Sequence, residues 1–322
     1  MKFAVLGAGA IGGYVGATLA RNGTDVTLIA RGEHLRAMQS NGVRVESPRG
    51  NFTSQVEATS DLEAMADADV IFLGLKANSL PEVAPDLARV RRSDALVIGA
   101  QNGIPWWYFQ SHGGRLDGHR LQSVDPNGVV TRAIPVDNVV GCVIYCSTEL
   151  TAPGVIRHIE GTRFAIGTPG DDAAERCRAI SGEFKAAGLK CPIATNLREH
   201  IWLKLLGNAA FNPITTITRT TMGELARSSS ARAYVRAVME ESAAVAGALG
   251  IEFPVSIDQR IEGGLAVGDH KTSMLLDWEA GKPLELDCIT GAIIEIADLV
   301  SVPVPAVRTL HTLTKAVAEL RP

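Results

Sequence analysis

The chain begins with a short apolar run, Lys2 to Leu6, that leads directly into the glycine-rich sequence Gly7-Ala8-Gly9-Ala10-Ile11-Gly12. This is the G-x-G-x-x-G pattern, in which the first glycine permits a tight turn, the second lets the backbone approach a pyrophosphate, and the third lets a helix pack close to a strand. A second apolar run, Asp25 to Ala30, follows at the spacing of a βαβ unit. Residues 7–12 are therefore predicted to bind a dinucleotide at a helix N-terminus. The alternative is a glycine-rich turn in an unrelated α/β domain.

The end of the second predicted strand indicates which dinucleotide is bound. Folds that bind NAD commonly place Asp or Glu about 20 residues past the glycines, where the acid contacts the ribose hydroxyls. This chain has Arg31 there, and the nearest acid, Glu33, lies beyond the turn. A guanidinium binds a 2′-phosphate through charge-assisted hydrogen bonds, whereas a carboxylate would repel it. We therefore expect NADP(H) rather than NAD(H). If Arg31 is only a solvated loop residue, the missing acid still disfavours NAD.

Composition excludes several other classes of protein. The chain has 322 residues, 46% hydrophobic and 20% charged, which is enough for two domains with cores. Its net charge of −4 and the lack of a long basic run argue against nucleic-acid binding. No stretch offers the roughly 18 uninterrupted apolar residues of a membrane span, so we expect a cytoplasmic protein. The five cysteines match no zinc or redox spacing, and no metal site is expected.

Apolar runs alternate with helical patterns through the first hundred residues. Buried strands are predicted at residues 70–75 and 95–100, and helical stretches at 63–68 and 81–91. Strands that are apolar throughout indicate a parallel sheet covered on both faces, and in such sheets ligands bind beyond the carboxyl ends of the strands. Because Lys76 and Asn102 each follow one of these strands, we expect both at the ligand-binding edge.

The middle of the chain is less regular. Residues 104–137 are Gly-rich, begin with the aromatic run Trp106 to Phe109, and are predicted to form a long loop or insertion. The aromatic residues could anchor this loop on the domain, line a pocket, or form an interface. Strands that complete the first domain are predicted at 139–147, 154–159 and 162–167, followed by a helix at 173–187.

From Leu197 to Leu320 the pattern is helical, with breaks near Pro213, 250–254, 281–283 and 303–305. A run of helices after an α/β region indicates a separate all-α domain. The predicted fold class is an α/β Rossmann-type N-terminal domain, residues 1–195, with an all-α C-terminal domain, residues 196–322.

Three polar residues, Lys204, Asn208 and Asn212, are spaced i, i+4 and i+8 in an apolar helical stretch that is predicted to end at Pro213. On a helix they form one stripe, and a polar stripe among apolar neighbours must meet water, a partner or a ligand. Asparagine is a poor helix former, which disfavours a purely solvent-facing role but does not exclude it.

A second polar cluster lies within residues 271–287. Its members could pair with Lys204, although each could equally be a solvated surface group. The candidates are Ser273, Asp277, Glu279, Glu285 and Asp287.

Together these motifs resemble the ketopantoate reductase (2-dehydropantoate 2-reductase) family over nearly the full length. The resemblance lies in the N-terminal G-x-G-x-x-G, Arg31, Leu75-Lys76, Gln101 to Gly103, the K-x-x-x-N-x-x-x-N-P sequence from Lys204 to Pro213, and the S-M-L-x-D sequence from Ser273 to Asp277 with Glu285.

The resemblance implies a Rossmann domain, a helical domain, an active site in the cleft between them, and reduction of 2-dehydropantoate to (R)-pantoate with NADPH. By position, Lys204 resembles the general acid that protonates the ketone oxygen, and Glu285 resembles its partner. The residues that resemble substrate contacts are Asn208, Asn212 and Ser273. Asn102 matches a contact with cofactor and substrate, and Lys76 a contact with the cofactor.

The stretch 104–137 is longer than expected for this family and could reshape the substrate pocket. Two alternatives therefore stay open: the same chemistry on a different 2-keto or 3-keto acid, and an NADP(H)-binding sensor without turnover. A homodimer is expected, through either the helical domain or the aromatic run.

Overall fold

The computed structural model describes residues 1–266 and 268–321, and its first part is built on one nine-stranded sheet. The strands are β1 Lys2–Leu6, β2 Asp25–Ile29, β3 Val43–Glu46, β4 Phe52–Ser54, β5 Glu57–Thr59, β6 Val70–Leu73, β7 Leu96–Gly99, β8 Val139–Ala152 and β9 Val155–Gly167. Their order across the sheet is β4-β3-β9-β8-β7-β6-β1-β2-β5.

The centre of the sheet is parallel and largely buried. Strand β1 pairs in parallel with β2 on one side and β6 on the other, and β7 continues the parallel order from β6 to β8. Every residue of β6 is buried, as its uninterrupted apolar sequence predicts. Because the chain order reverses direction at β1, the loop after β1 lies at the topological switch point where α/β sheets bind ligands.

Strands β8 and β9 form a long antiparallel hairpin in place of three separate strands. The predicted division between 154–159 and 162–167 was wrong, because Gly161 adopts φ +73° within an irregular part of the hairpin and the strand continues past it. A glycine that breaks a strand pattern marks a bulge as readily as a turn.

Five helices accompany the sheet: α1 Ala10–Arg21, α2 Gly32–Asn41, α3 Leu80–Val90, α4 Val129–Ala133 and α5 Ala173–Ala186. The bounds of α3 and α5 agree with the predicted helices to within a residue. The stretch predicted as a helix at 63–68 is a shorter 3-10 turn, Leu62–Met65, begun by the Asp61 side chain, which accepts from the Glu63 amide.

The aromatic run Trp106 to Phe109 anchors the loop that follows β7, since none of its four residues is more than 4% exposed. A Cβ added at Gly99 would lie 2.8 Å from the Trp106 ring, so the end of β7 leaves room for this indole. Anchoring was one of the three predicted roles. The rest of residues 104–137 contains only short turns and α4.

The remainder of the chain is helical: α6 Leu197–Thr218, α7 Met222–Ala226, α8 Ser229–Ala248, α9 Ile257–Leu265, α10 Ser273–Glu279, α11 Ala292–Val300 and α12 Pro305–Glu319. A π-helical turn, Asp287–Gly291, leads directly into α11. This confirms the predicted fold class.

Helix α6 continues through Pro213, so the predicted break at this residue was wrong. A proline removes one backbone donor, but Pro213 and its neighbours are buried, and tertiary packing can hold a helix together at such a residue. The hydroxyls of Thr215 and Thr216 donate to the Phe211 and Asn212 carbonyls in the same turns.

The chain forms two compact units. Unit 1 comprises residues 1–101, 106–120 and 127–197, and unit 2 comprises 102–105, 121–126 and 198–322. The sequence does not foresee that two short segments before residue 195 belong with the helices. Among the described residues, no helix is both long and apolar enough to cross a bilayer.

Candidate active site

The glycine-rich loop of unit 1 is held tightly against the ends of two strands. Gly7 adopts φ +94°, and the amides of Gly7 and Ala8 both donate to the Ile29 carbonyl, at 3.1 and 3.0 Å. A Cβ added at Gly12 would collide with the Gly7 carbonyl oxygen. Two of the three glycines are therefore required by the turn and by helix packing alone.

Gly9 is different, because a Cβ added there would meet no atom within 4 Å. It is the N-cap of α1 and has no side chain that could cap the helix. The first turn of α1 contains no acidic residue. Ala10 and Ile11 begin this turn and are half-buried. Open space beside an uncapped, acid-free helix N-terminus fits a dinucleotide pyrophosphate.

Arg31 lies at the exposed N-cap of α2, two residues after the end of β2. Glu33, in the first turn of α2, forms an exposed ion pair with Arg36 at 3.8 Å. The end of β2 therefore presents a guanidinium where NAD-binding folds present a carboxylate, and this fits a 2′-phosphate.

Gln101 has a structural role that the motif analysis missed. Its side-chain Nε2 donates to the carbonyls of Leu73 and Leu75, at 2.8 and 3.0 Å, and so fixes the chain where it leaves β6. Half-buried Lys76 follows at the N-cap of a short 3-10 turn. The sequence signal that could have drawn attention to Gln101 is its position directly after the predicted buried strand at 95–100.

Two predicted site residues meet in unit 2, since Asn102 Nδ2 donates to Glu285 Oε2 at 3.4 Å. Both side chains are half-buried. Among the other acids of the 271–287 cluster, Glu279 accepts from Lys271 Nζ at 2.7 Å, and Asp287 is exposed.

The residues beside Asn102 and Glu285 hold the segment after β7 against the π-helical turn. Gly103 adopts φ +84°, and a Cβ added there would collide with the Cys288 carbonyl. The same carbonyl accepts from the Ile104 amide at 2.8 Å. Burial, with the negative charges of Glu285 and Asp287, raises the pKa of the Cys288 thiol well above its ordinary value. The thiol is therefore neutral and donates to the Glu285 carbonyl at 3.4 Å.

The predicted stripe on α6 lies in a largely buried helix. Lys204 and Asn208 are half-buried and Asn212 is 6% exposed, while the apolar residues between them are buried. The burial of Asn212 argues against the solvent-facing alternative.

Ser273 is the exposed first residue of α10. The helix is capped by Thr272, whose Oγ1 lies 2.7 Å from Thr215 Oγ1 on α6. This hydrogen bond brings the start of α10 to α6 within one turn of Asn212.

Arg260 of α9 is a further cation beside the stripe. Its Nε donates to the Leu203 carbonyl at 3.2 Å, and its guanidinium occupies the space that a side chain at Gly207 would need. Among the described residues, no group of three or more His, Cys, Asp or Glu could hold a metal ion.

A glycine-rich loop at the switch point of a parallel sheet is typical of nucleotide-dependent oxidoreductases. Residues 3–170 match the ketopantoate reductase PanE/ApbA family, and residues 196–318 match the C-terminal region of the same family.

Individual relatives agree over almost the whole chain. A 2-dehydropantoate 2-reductase of Mesorhizobium japonicum is 41% identical, covering 99% of this chain and 98% of its own. A candidate ketopantoate reductase of Ralstonia solanacearum is 36% identical with a TM-score of 0.93, covering 99% and 98%. A PanE/ApbA family ketopantoate reductase of Ralstonia eutropha is 30% identical with a TM-score of 0.86, covering 100% and 99%. The chain belongs to the ketopantoate reductase family.

Proposed function

We propose that this chain reduces 2-dehydropantoate to (R)-pantoate with NADPH, by hydride transfer to the keto carbon, as a step toward pantothenate and coenzyme A. The observation that carries the proposal is the full-length similarity to the Mesorhizobium 2-dehydropantoate 2-reductase. The presence of Lys204, Asn208, Asn212, Ser273 and Glu285 together supports it.

The residues that follow strands β1, β2, β6 and β7 hold the cofactor. The loop Gly7, Gly9, Ala10, Ile11 and Gly12 binds the pyrophosphate through backbone amides and the dipole of α1. Arg31 would bind the 2′-phosphate, and Lys76 and Asn102 would contact the cofactor. NADPH, when bound, supplies the hydride.

Lys204 acts as the general acid. Addition of hydride to a ketone creates negative charge on the oxygen, and a lysine ammonium held there stabilises that charge and then donates its proton. Glu285 is the partner that orients the lysine, and its hydrogen bond from Asn102 restricts the carboxylate.

Asn208, Asn212 and Ser273 bind the substrate. Amide and hydroxyl groups can donate to a carboxylate and accept from a hydroxyl without adding repulsive charge. Their attachment to α6 and the start of α10 places all three on helices, which gives a fixed geometry.

The first experiment follows NADPH absorbance at 340 nm with 2-dehydropantoate, with NADH and other 2-keto acids in parallel. Rapid oxidation of NADPH with 2-dehydropantoate alone supports the proposal. Oxidation only with another keto acid would keep the chemistry and replace the substrate. NADPH binding without any oxidation would favour a sensor.

Replacing Lys204 with Ala tests the catalytic role. We expect kcat to fall by about 10²- to 10⁴-fold, the usual contribution of a positioned acid, while the Kd of NADPH stays within about twofold. Lys185→Ala, at an exposed position on α5, is the matched control and should leave kcat unchanged. A Lys204→Ala variant with wild-type kcat would remove this residue from the mechanism.

The expected homodimer stays a prediction of the sequence. Sedimentation velocity at micromolar concentration tests it directly, and a single species at the monomer mass of 34.1 kDa would contradict it.

A further inference from the structure

His34 joins the glycine-rich loop to a distant part of the sheet. The residue lies in the first turn of α2, three residues after Arg31, and is half-buried. Its Nε2 lies 2.7 Å from the carbonyl oxygen of Ala8, inside the glycine-rich loop. Its Nδ1 accepts from the backbone amide of Gly154, at the tip of the β8–β9 hairpin, at 2.9 Å. One imidazole ring therefore contacts two backbone segments that are far apart in sequence.

The two contacts define the tautomer of His34. A backbone amide can only donate, so Nδ1 carries no proton when it accepts from Gly154. In the neutral ring the proton then lies on Nε2, where it is donated to the Ala8 carbonyl. The neutral Nε2–H imidazole satisfies both contacts, whereas the other neutral tautomer would satisfy neither.

The hairpin tip is a fixed support. Gly154 adopts φ +76°, and its carbonyl accepts from the Arg44 amide of β3 at 2.9 Å. A Cβ added at Gly154 would lie 3.1 Å from the Ala37 side chain, so the tip packs against α2 as well. His34 consequently ties the glycine-rich loop to a turn that is itself bonded to the sheet.

We propose that His34 is a positioning residue for NADPH. By holding Ala8 and the first turn of α2 to the same hairpin tip, it fixes the distance between the pyrophosphate-binding loop and Arg31, which binds the 2′-phosphate. Preorganised contacts of this kind raise affinity because less order is lost on binding. The role rests on the proposed function, since it requires the loop to bind NADPH.

The test compares His34→Ala and His34→Gln with the wild type in NADPH titrations at pH 8. At pH 8 we expect the Kd of NADPH to rise about tenfold in His34→Ala, with kcat within about twofold. His34→Gln keeps a donor for the Ala8 carbonyl, so its Kd for NADPH should rise only about threefold. The control His119→Gln removes a ring that packs edgewise on Phe109 and should bind like the wild type.

The graded effect of the two variants separates positioning from a general loss of structure, because only His34→Gln keeps a donor for the Ala8 carbonyl. Equal rises of the Kd in His34→Ala and His34→Gln would overturn the positioning role.

Ring ¹⁵N shifts of His34 test the contact without cofactor. We expect Nε2 protonated and Nδ1 unprotonated at pH 8, and the reverse tautomer would overturn the inference. If the wild type binds NADPH and all His34 variants bind equally well, the positioning role fails while the proposed function stands. If the wild type does not bind NADPH, the proposed function fails, and the positioning role fails with it.

Discussion

Gly9 and Gly12 lie three residues apart, yet a methyl group added to each would have different effects. Gly9 has extended backbone and open space around the missing Cβ, whereas a Cβ at Gly12 would strike the Gly7 carbonyl. We expect Gly9→Ala to keep the wild-type free energy of unfolding and to raise the Kd of NADPH at least about tenfold, because the methyl group occupies the approach of the pyrophosphate. Gly12→Ala should lower the free energy of unfolding by about 1–3 kcal/mol through overpacking.

Urea unfolding and NADPH titration of both variants distinguish the two effects. A Gly9→Ala protein that binds NADPH as tightly as the wild type would contradict the assignment of this space to the cofactor. The spacing of the three glycines was readable from the sequence. The roles of Gln101, Gly103 and His34 were not, because each depends on a backbone group that only the folded chain brings near.

Among the helices, α12 depends on a carboxylate from another helix. Glu241 of α8 accepts from the amides of Ala306 and Val307, both at 2.9 Å, in the first turn of α12. These charge-assisted bonds satisfy two helix-terminal donors and place negative charge at the positive end of the helix dipole. We expect Glu241→Ala to lower the free energy of unfolding by about 2 kcal/mol.

The adjacent residue supplies the matched control. Glu240 forms an exposed pair with Arg236 at 3.7 Å, and Glu240→Ala should lower the free energy of unfolding in urea by less than about 0.5 kcal/mol. Equal effects of the two substitutions would show that loss of charge, and not the cap, is responsible.

Strands and helices with a strong pattern were predicted well. Hydrophobic periodicity in the local sequence predicts the type of four elements, the buried strands β6 and β7 and the helices α3 and α5. Two errors fall at residues whose local tendency is overridden by packing: Pro213 inside α6 and Gly161 inside β9. The π-helical turn at 287–291 has no sequence signal, since its register is set by contacts with the segment after β7.

The stability of the whole molecule should decrease in acid through His311. Burial lowers the pKa of His311, whose Nδ1 lies 2.8 Å from Thr290 Oγ1 on the π-helical turn; Lys315 acts in the same direction and Asp287 in the opposite one. The unfolded chain takes up this proton near pH 6.5, while the folded chain takes it up only at lower pH. Unfolding therefore binds a proton in this window, and stability falls as the pH falls below about 6.5.

The difference between the wild type and His311→Gln isolates this effect. From pH 7.5 to pH 5.5, we expect the free energy of unfolding in urea to fall more steeply for the wild type. Identical slopes would contradict the lowered pKa. Above pH 7.5 the histidine is neutral in both states and contributes no slope.

At the scale of the molecule, the chain passes repeatedly from one compact unit to the other before α6 begins. Residues 121–126 belong with the helices, where the Glu295 carboxylate accepts from the Gln122 and Ser123 amides at 2.7 and 2.9 Å. A fragment that begins near residue 196 would therefore lack residues 102–105 and 121–126, which pack with its helices. A chimera that exchanged only residues 196–322 would place Glu295 and Cys288 against a loop from another protein. A chimera of this protein should therefore exchange the loop after β7 together with the helices.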